Sequence, residues 1–161
     1  MRLVIADTGP INYLILIGCI DLLSALFEKV ILPAQVRAEL STRKTPALVR
    51  NWIANPPTWV EVRETPVAFD PDPLLKGIHE GEQAAIALAA ALNADLLLMD
   101  DRKAVIAARG KGLRVTGTLG ILELAAQDGL TDFTQAIERL RQTNFRSPEA
   151  LLDALLKKHS R

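Results

Sequence analysis

The chain has 161 residues, 49% of them hydrophobic, and its 19 Lys and Arg balance its 19 Asp and Glu. Such a length suits one domain that buries roughly 70% of its unfolded surface, and such a composition excludes disorder. Zero formal net charge excludes a global field for nucleic acid or membranes, so either would have to be met by a local patch.

Apolar runs mark candidate strands at residues 2–6, 29–32, 58–62, 95–99 and 113–116. Helical patterns fill the spaces at 10–27 (two helices), 33–41, 46–55, 80–93, 102–110 and 118–128. Pro33 and Pro46 suit the first turns of their helices. The stretch "RETPVAFDPDPLL" at 63–75 carries three prolines and reads as a surface loop. This alternation predicts an α/β three-layer fold, a mainly parallel sheet flanked by helices.

After Gly129 two helical patterns follow without a strand, "TDFTQAIERLRQT" and "SPEALLDALLKK". Thr131 and Ser147 are candidate N-caps. Leu151, Leu152, Leu155 and Leu156 form a stripe expected to be buried. The expected organisation is a single domain over 1–161, with a core at 1–128 and a helical extension at 129–161. The lone Cys19 cannot form an intrachain disulfide and reads as an inert core thiol in a reducing compartment. No stretch reaches the ~18 apolar residues of a membrane span. Asp7 and "TGP" interrupt what would be a signal-peptide core. The expectation is a cytoplasmic protein with no membrane partner.

Two apolar runs end on acids: "LVIAD" on Asp7 and "LLLMDD" on Asp100 and Asp101. Ligand sites of parallel sheets lie just past such strand ends. Glu39, in "PAQVRAEL", and Glu82, in the first turn of "GEQAAIALAAAL", complete the set. Each has an ordinary explanation. Asp7 or Thr8 could cap the next helix, Glu82 could complement a helix dipole, Glu39 could pair with Arg37 or Arg43, and Asp101 could be an N-cap. Glu82, however, shares its helix face with Ala85, Ile86 and Ala89, an apolar face that belongs on the sheet. If the strands at 2–6 and 95–99 are neighbours, Asp7, Glu82 and Asp101 converge. Clustered carboxylates need protons or a cation to offset their repulsion. Oxygen donors suit Mg2+ or Mn2+, and Cys19, His79 and His159 have no zinc-like spacing.

The ordered segments "VIADTGP", "VILPAQVRAEL", "GEQAAIALA" and "DLLLMDDRKA" resemble the PIN-domain nucleases, especially the VapC-like prokaryotic toxins. The resemblance covers about residues 1–128. It implies a Mg2+- or Mn2+-dependent endoribonuclease, often a homodimer, held in check by a small antitoxin. Catalytic and metal-binding roles then fall to Asp7, Glu39, Glu82 and Asp101, with Asp100 beside them as a further acid near the metal. Thr8, Arg102 and Lys103 fall to the substrate, and RNA is the implied partner. Three positions depart from the family pattern. Gly9 stands where a Ser or Thr is common, Met99 where many relatives have a hydroxyl, and Glu82 where many use Asp. Two alternatives remain: a PIN-like module that binds RNA or protein without cutting, and a phospho-receiver domain. In the latter an acid pair belongs after the first strand, whereas "DD" follows the fourth.

Overall fold

Val4–Ala6 form β1, and all three side chains are buried. Successive side chains of a strand point to opposite faces, so a strand buried throughout must be covered on both. The computed structural model, which describes residues 2–65 and 75–159, shows that arrangement. Five parallel strands make one sheet: β1, β2 (Val30–Pro33), β3 (Val60–Arg63), β4 (Leu96–Leu98) and β5 (Val115–Thr116). Their order is β3-β2-β1-β4-β5. Val4 stands opposite both Val30 and Leu96, and Leu98 stands between Ala6 and Thr116. All five predicted strands are present, and the fold is the three-layer α/β arrangement expected.

Two apolar cores sit on the two faces. Ile5, Ile31, Leu97 and Met99 meet α5 (Glu80–Ala91) and α6 (Arg102–Gly110) through Ala85, Ile86, Ala89, Ala104 and Ala108. The small side chains let these helices approach the sheet closely. On the other face, Val4, Ala6, Val30, Leu32 and Leu98 meet α1 (Thr8–Leu16), α2 (Leu22–Phe27), α3 (Ala34–Leu40), α4 (Ala47–Ala54) and α7 (Thr118–Gln127). At the edge, β3 carries Glu61, 3.1 Å from Lys29 and 2.6 Å from Arg63. Charge at an edge discourages further strand pairing.

The extension adds α8 (Phe133–Arg141) and α9 (Glu149–His159) to the second core through Phe133, Ile137, Leu140 and Leu152. Arg141 joins them, 3.0 Å from Asp153 and 3.3 Å from Glu149. His159 stacks on Phe133 and reaches Glu123 of α7. Cys19 is half-buried beside this core, and its burial pushes the thiol up, as suits an unreactive group.

Several boundary expectations are corrected. Asp132, not Thr131, caps α8, accepting the Gln135 N–H at 3.0 Å. α9 begins at Glu149, so Pro148 and not Ser147 stands at the position before its first residue. Pro33 and Pro46 occupy the N-cap positions rather than the helical turns. In the leucine stripe, Leu152 is buried and Leu155 and Leu156 are partly so, but Leu151 is 45% exposed. Most of the loop expected at 63–75 lies outside the described residues. Among the described residues, no helix is long and apolar enough to cross a membrane.

Leu152→Asp should therefore destabilise the protein by at least ~2 kcal/mol, because it places an unpaired charge in an apolar contact. Leu151→Asp should stay within ~0.5 kcal/mol of wild type. Urea denaturation of the two variants checks this contrast, and equal midpoints would contradict the packing of α9.

Candidate functional site

The chain builds outward from β1 to β2 and β3, then returns to β1's other side for β4 and β5. The turnaround leaves a crevice at the carboxyl ends of β1 and β4, where the flanking connections part in opposite directions. Asp7 follows β1 directly, and its N–H still continues the ladder to Leu98 O at 2.9 Å. It occupies the N-cap position of α1, yet its side chain makes no cap hydrogen bond to that helix. The residue is 3% exposed, and its Oδ1 is buried and unpaired.

Three further acids face it. Glu39 comes from α3 and Glu82 from the first turn of α5, each with a buried, unpaired Oε2. Glu82 and Asp101 meet side chain to side chain, a contact between two carboxyls that only a proton or a cation makes favourable. Burial raises Asp7 to about 6, assisted by repulsion from Glu39 and Asp100 and opposed by the Thr8 amide. Burial likewise raises Glu82 to about 7, with Asp7, Asp101 and Glu39 adding repulsion. The apolar face of α5 aims Glu82 as expected, since Ala85, Ile86 and Ala89 all lie buried on the sheet. Glu39 pairs with neither Arg37 nor Arg43 among the contacts observed. Its neighbour is His79, whose Nε2 lies 3.3 Å from Oε1.

The two acids after β4 differ. Asp101 is exposed and caps α6, with Oδ2 accepting the Ala104 N–H at 3.0 Å. Asp100 turns inward and accepts both the Thr118 N–H at 2.7 Å and the Thr118 hydroxyl at 2.6 Å. Its pKa is raised by burial and partly restored by those bonds. It thereby ties the end of β4 to the start of α7. Glycines make room for it: a Cβ at Gly9 would stand 3.1 Å from Oδ2, and one at Gly117 only 2.5 Å from Oδ1.

Grooves flank the acids. Thr8, the first residue of α1, lines one with Asn12, Tyr13, Thr42 and Lys44. Arg102 lines the other with Arg109, Phe145 and Arg146. Lys103 instead reaches back to the Gly77 carbonyl at 3.5 Å. Tyr13 joins the two walls, donating to Asn144 Oδ1 at 3.0 Å and meeting Phe145 edge-on. His79, Thr118 and Arg146 did not stand out in the sequence. Thr118 opens α7 one residue beyond the end of β5, a position where a helix-starting hydroxyl could have been noticed.

The family model DUF3368, described as a PIN domain, matches residues 3–161. The chain belongs to the PIN-domain family. PIN domains are generally nucleases, and the match includes the C-terminal helices as well as the sheet. No curated protein matches the chain. As a cation site, this PIN domain has donors of the right chemistry: oxygen only, with three buried oxygens unpaired around one crevice. Among the described residues no group of three or more His, Cys, Asp or Glu side chains is spaced to hold a metal ion as they stand.

Raised acid pKa values have a definite sign in stability. The folded state keeps protons on Asp7 and Glu82 that the unfolded chain would release, so their contribution is full below the ordinary carboxylate range. It is lost as pH rises through about 6 and about 7. The melting temperature in chelator should thus fall between about pH 4 and pH 7 on this account, and less steeply in Asp7→Asn. Matching slopes for variant and wild type would contradict the desolvated placement of Asp7.

The Asp100 clip gives a second expectation. Thr118→Val removes the hydroxyl donor and leaves a carboxylate oxygen unpaired, which should cost about 1–3 kcal/mol in chemical denaturation. A variant as stable as wild type would show that the clip contributes nothing.

Proposed function

We propose that this PIN domain is a Mg2+- or Mn2+-dependent endoribonuclease, acting as the toxin of a toxin–antitoxin pair in the manner of the VapC-like proteins its motifs resemble. One observation carries the metal-dependent reading: the Asp7 carboxylate is buried with an unpaired oxygen while three other acids face the same crevice. A chain does not desolvate an acid beside other acids for stability, because burial and repulsion both oppose it.

On this reading Asp7, Glu39, Glu82 and Asp101 hold the ion. When bound, the ion supplies a water of lowered pKa and charge to offset that growing on the phosphate. Glu82, raised to about 7 by burial and its neighbouring acids, would be drawn to the carboxylate form by the charge of the ion and so help to hold it. Asp7 stays in place because the Thr8 N–H donates to its carboxylate and its own N–H donates to Leu98 O. Thr8 and the exposed Arg102 meet the RNA backbone from opposite sides of the crevice. Lys103 extends the positive edge at the start of α6. Asp100 acts through Thr118 and not on the ion. The partners are RNA, a small antitoxin protein and a second copy of the chain, in the cytoplasm. A neighbouring gene for a small DNA-binding protein would favour the toxin role.

Binding without cutting is the competing reading, and it draws on one specific observation. Asp101 already gives an oxygen to its own helix N-terminus, so α6 explains that acid without any ion.

Asp7→Asn and Glu82→Gln should each abolish Mn2+-stimulated cleavage of an RNA substrate, while melting in chelator stays the same or rises. The paired measurements separate lost chemistry from lost fold. Wild-type cleavage rates in either variant would remove the acid crevice as the active site.

A further inference from the structure

His79 occupies the N-cap of α5, where the side chain accepts the Gly81 N–H on Nδ1 at 3.2 Å. A neutral imidazole carries one proton, so a ring that accepts at Nδ1 carries it on Nε2. That nitrogen lies 3.3 Å from Glu39 Oε1. The other oxygen of the same carboxylate, Oε2, is buried and has no partner. Gly81 supplies the space for it. A Cβ there would stand 3.0 Å from Oε2 and 3.6 Å from Nδ1. One residue thus fixes the ring through its amide and clears room for the carboxylate through its missing side chain.

Capping alone does not explain a histidine. Ser, Thr, Asp and Asn are the strong caps; Ser, Thr and Asn also carry a donor, but none of them sets it across a rigid ring from the capping acceptor, toward a neighbouring helix. Imidazole does, because its two nitrogens lie on different edges of a rigid ring. Carboxylates that bind metals are themselves held by polar neighbours, which set their orientation.

We propose that His79 is a positioning residue: fixed by the Gly81 amide, it holds Glu39 by Oε1 so that Oε2 is presented to the divalent cation of the acid crevice. The inference rests on the metal-dependent reading above. His79 acts through Glu39 and touches neither substrate nor ion.

Asparagine and glutamine separate its two jobs. His79→Asn keeps an acceptor near the Nδ1 position and so the cap, while His79→Gln keeps a donor near Nε2. With Mn2+ alone as probe, calorimetric titration of the full chain should show ~10-fold weaker binding for the Asn variant at an unchanged melting temperature. The Gln variant should bind Mn2+ close to wild type but melt lower. In a Glu39→Gln background, His79→Asn should weaken Mn2+ binding no further, because the partner it positions is gone. An Asn variant that binds Mn2+ like wild type would overturn the inference while leaving the acid crevice intact. So would a loss that persists in the Glu39→Gln background. A wild-type chain that takes up no Mn2+ would overturn the metal reading and this inference with it.

Discussion

Val4, Ile5 and Ala6 have no solvent exposure, and the next residue along the strand is a carboxylate with one oxygen unpaired. The pairing of β1 with β4 on one side and β2 on the other puts it there. A strand in the middle of a parallel sheet needs cover on both faces, which explains the two cores, the alanine-rich α5 and the leucine-rich helices opposite. Because the order turns around at β1, the helices that leave β1 and β4 part from each other and open the crevice. Cover, crevice and desolvated acid are consequences of one strand's position.

The acids in that crevice do not share one electrostatic situation. Asp7 and Glu82 are raised well above ordinary carboxylates by burial first and by their neighbours second. Asp100, though also buried, has both oxygens engaged by Thr118. Asp101 stands in water at a helix start, where the macrodipole favours its charge. The two adjacent acids after β4 therefore divide structural work between them, one closing a loop and one starting a helix. The unfavourable placements are concentrated in Asp7, Glu82 and the inner oxygen of Glu39, and these carry the functional argument.

Much of this was readable in the residues. Short Val-, Ile- and Leu-rich runs separated by 3.6-periodic segments mark the five strands, and the Ala85, Ile86, Ala89 face marks where Glu82 points. What escaped were features that depend on docking angle or on distant contact. Neighbouring leucines on a helix differ by about 100° in direction, so only the pose of α9 decides that Leu152 is buried and Leu151 exposed. Thr131 and Asp132 are both competent caps, and the choice between them follows from where the chain leaves the turn at Gly129. His79 has no partner at a telling spacing. Its contact with Glu39 exists only because α3 and α5 pack side by side.

The glycines around Asp100 restrict how this chain can diverge. At position 9 the space that a Cβ would enter holds Asp100 Oδ2. The same carboxylate fills the space beside Gly117 and uses both donors of Thr118. Positions 9, 100, 117 and 118 therefore form one packed unit. A Ser at position 9 would require Asp100, the acid that binds β4 to α7, to give by a few tenths of an ångström. Shortening residue 100 first would open the space but strand the hydroxyl of residue 118. The effect of a change at any one of these four positions therefore depends on which residues stand at the other three.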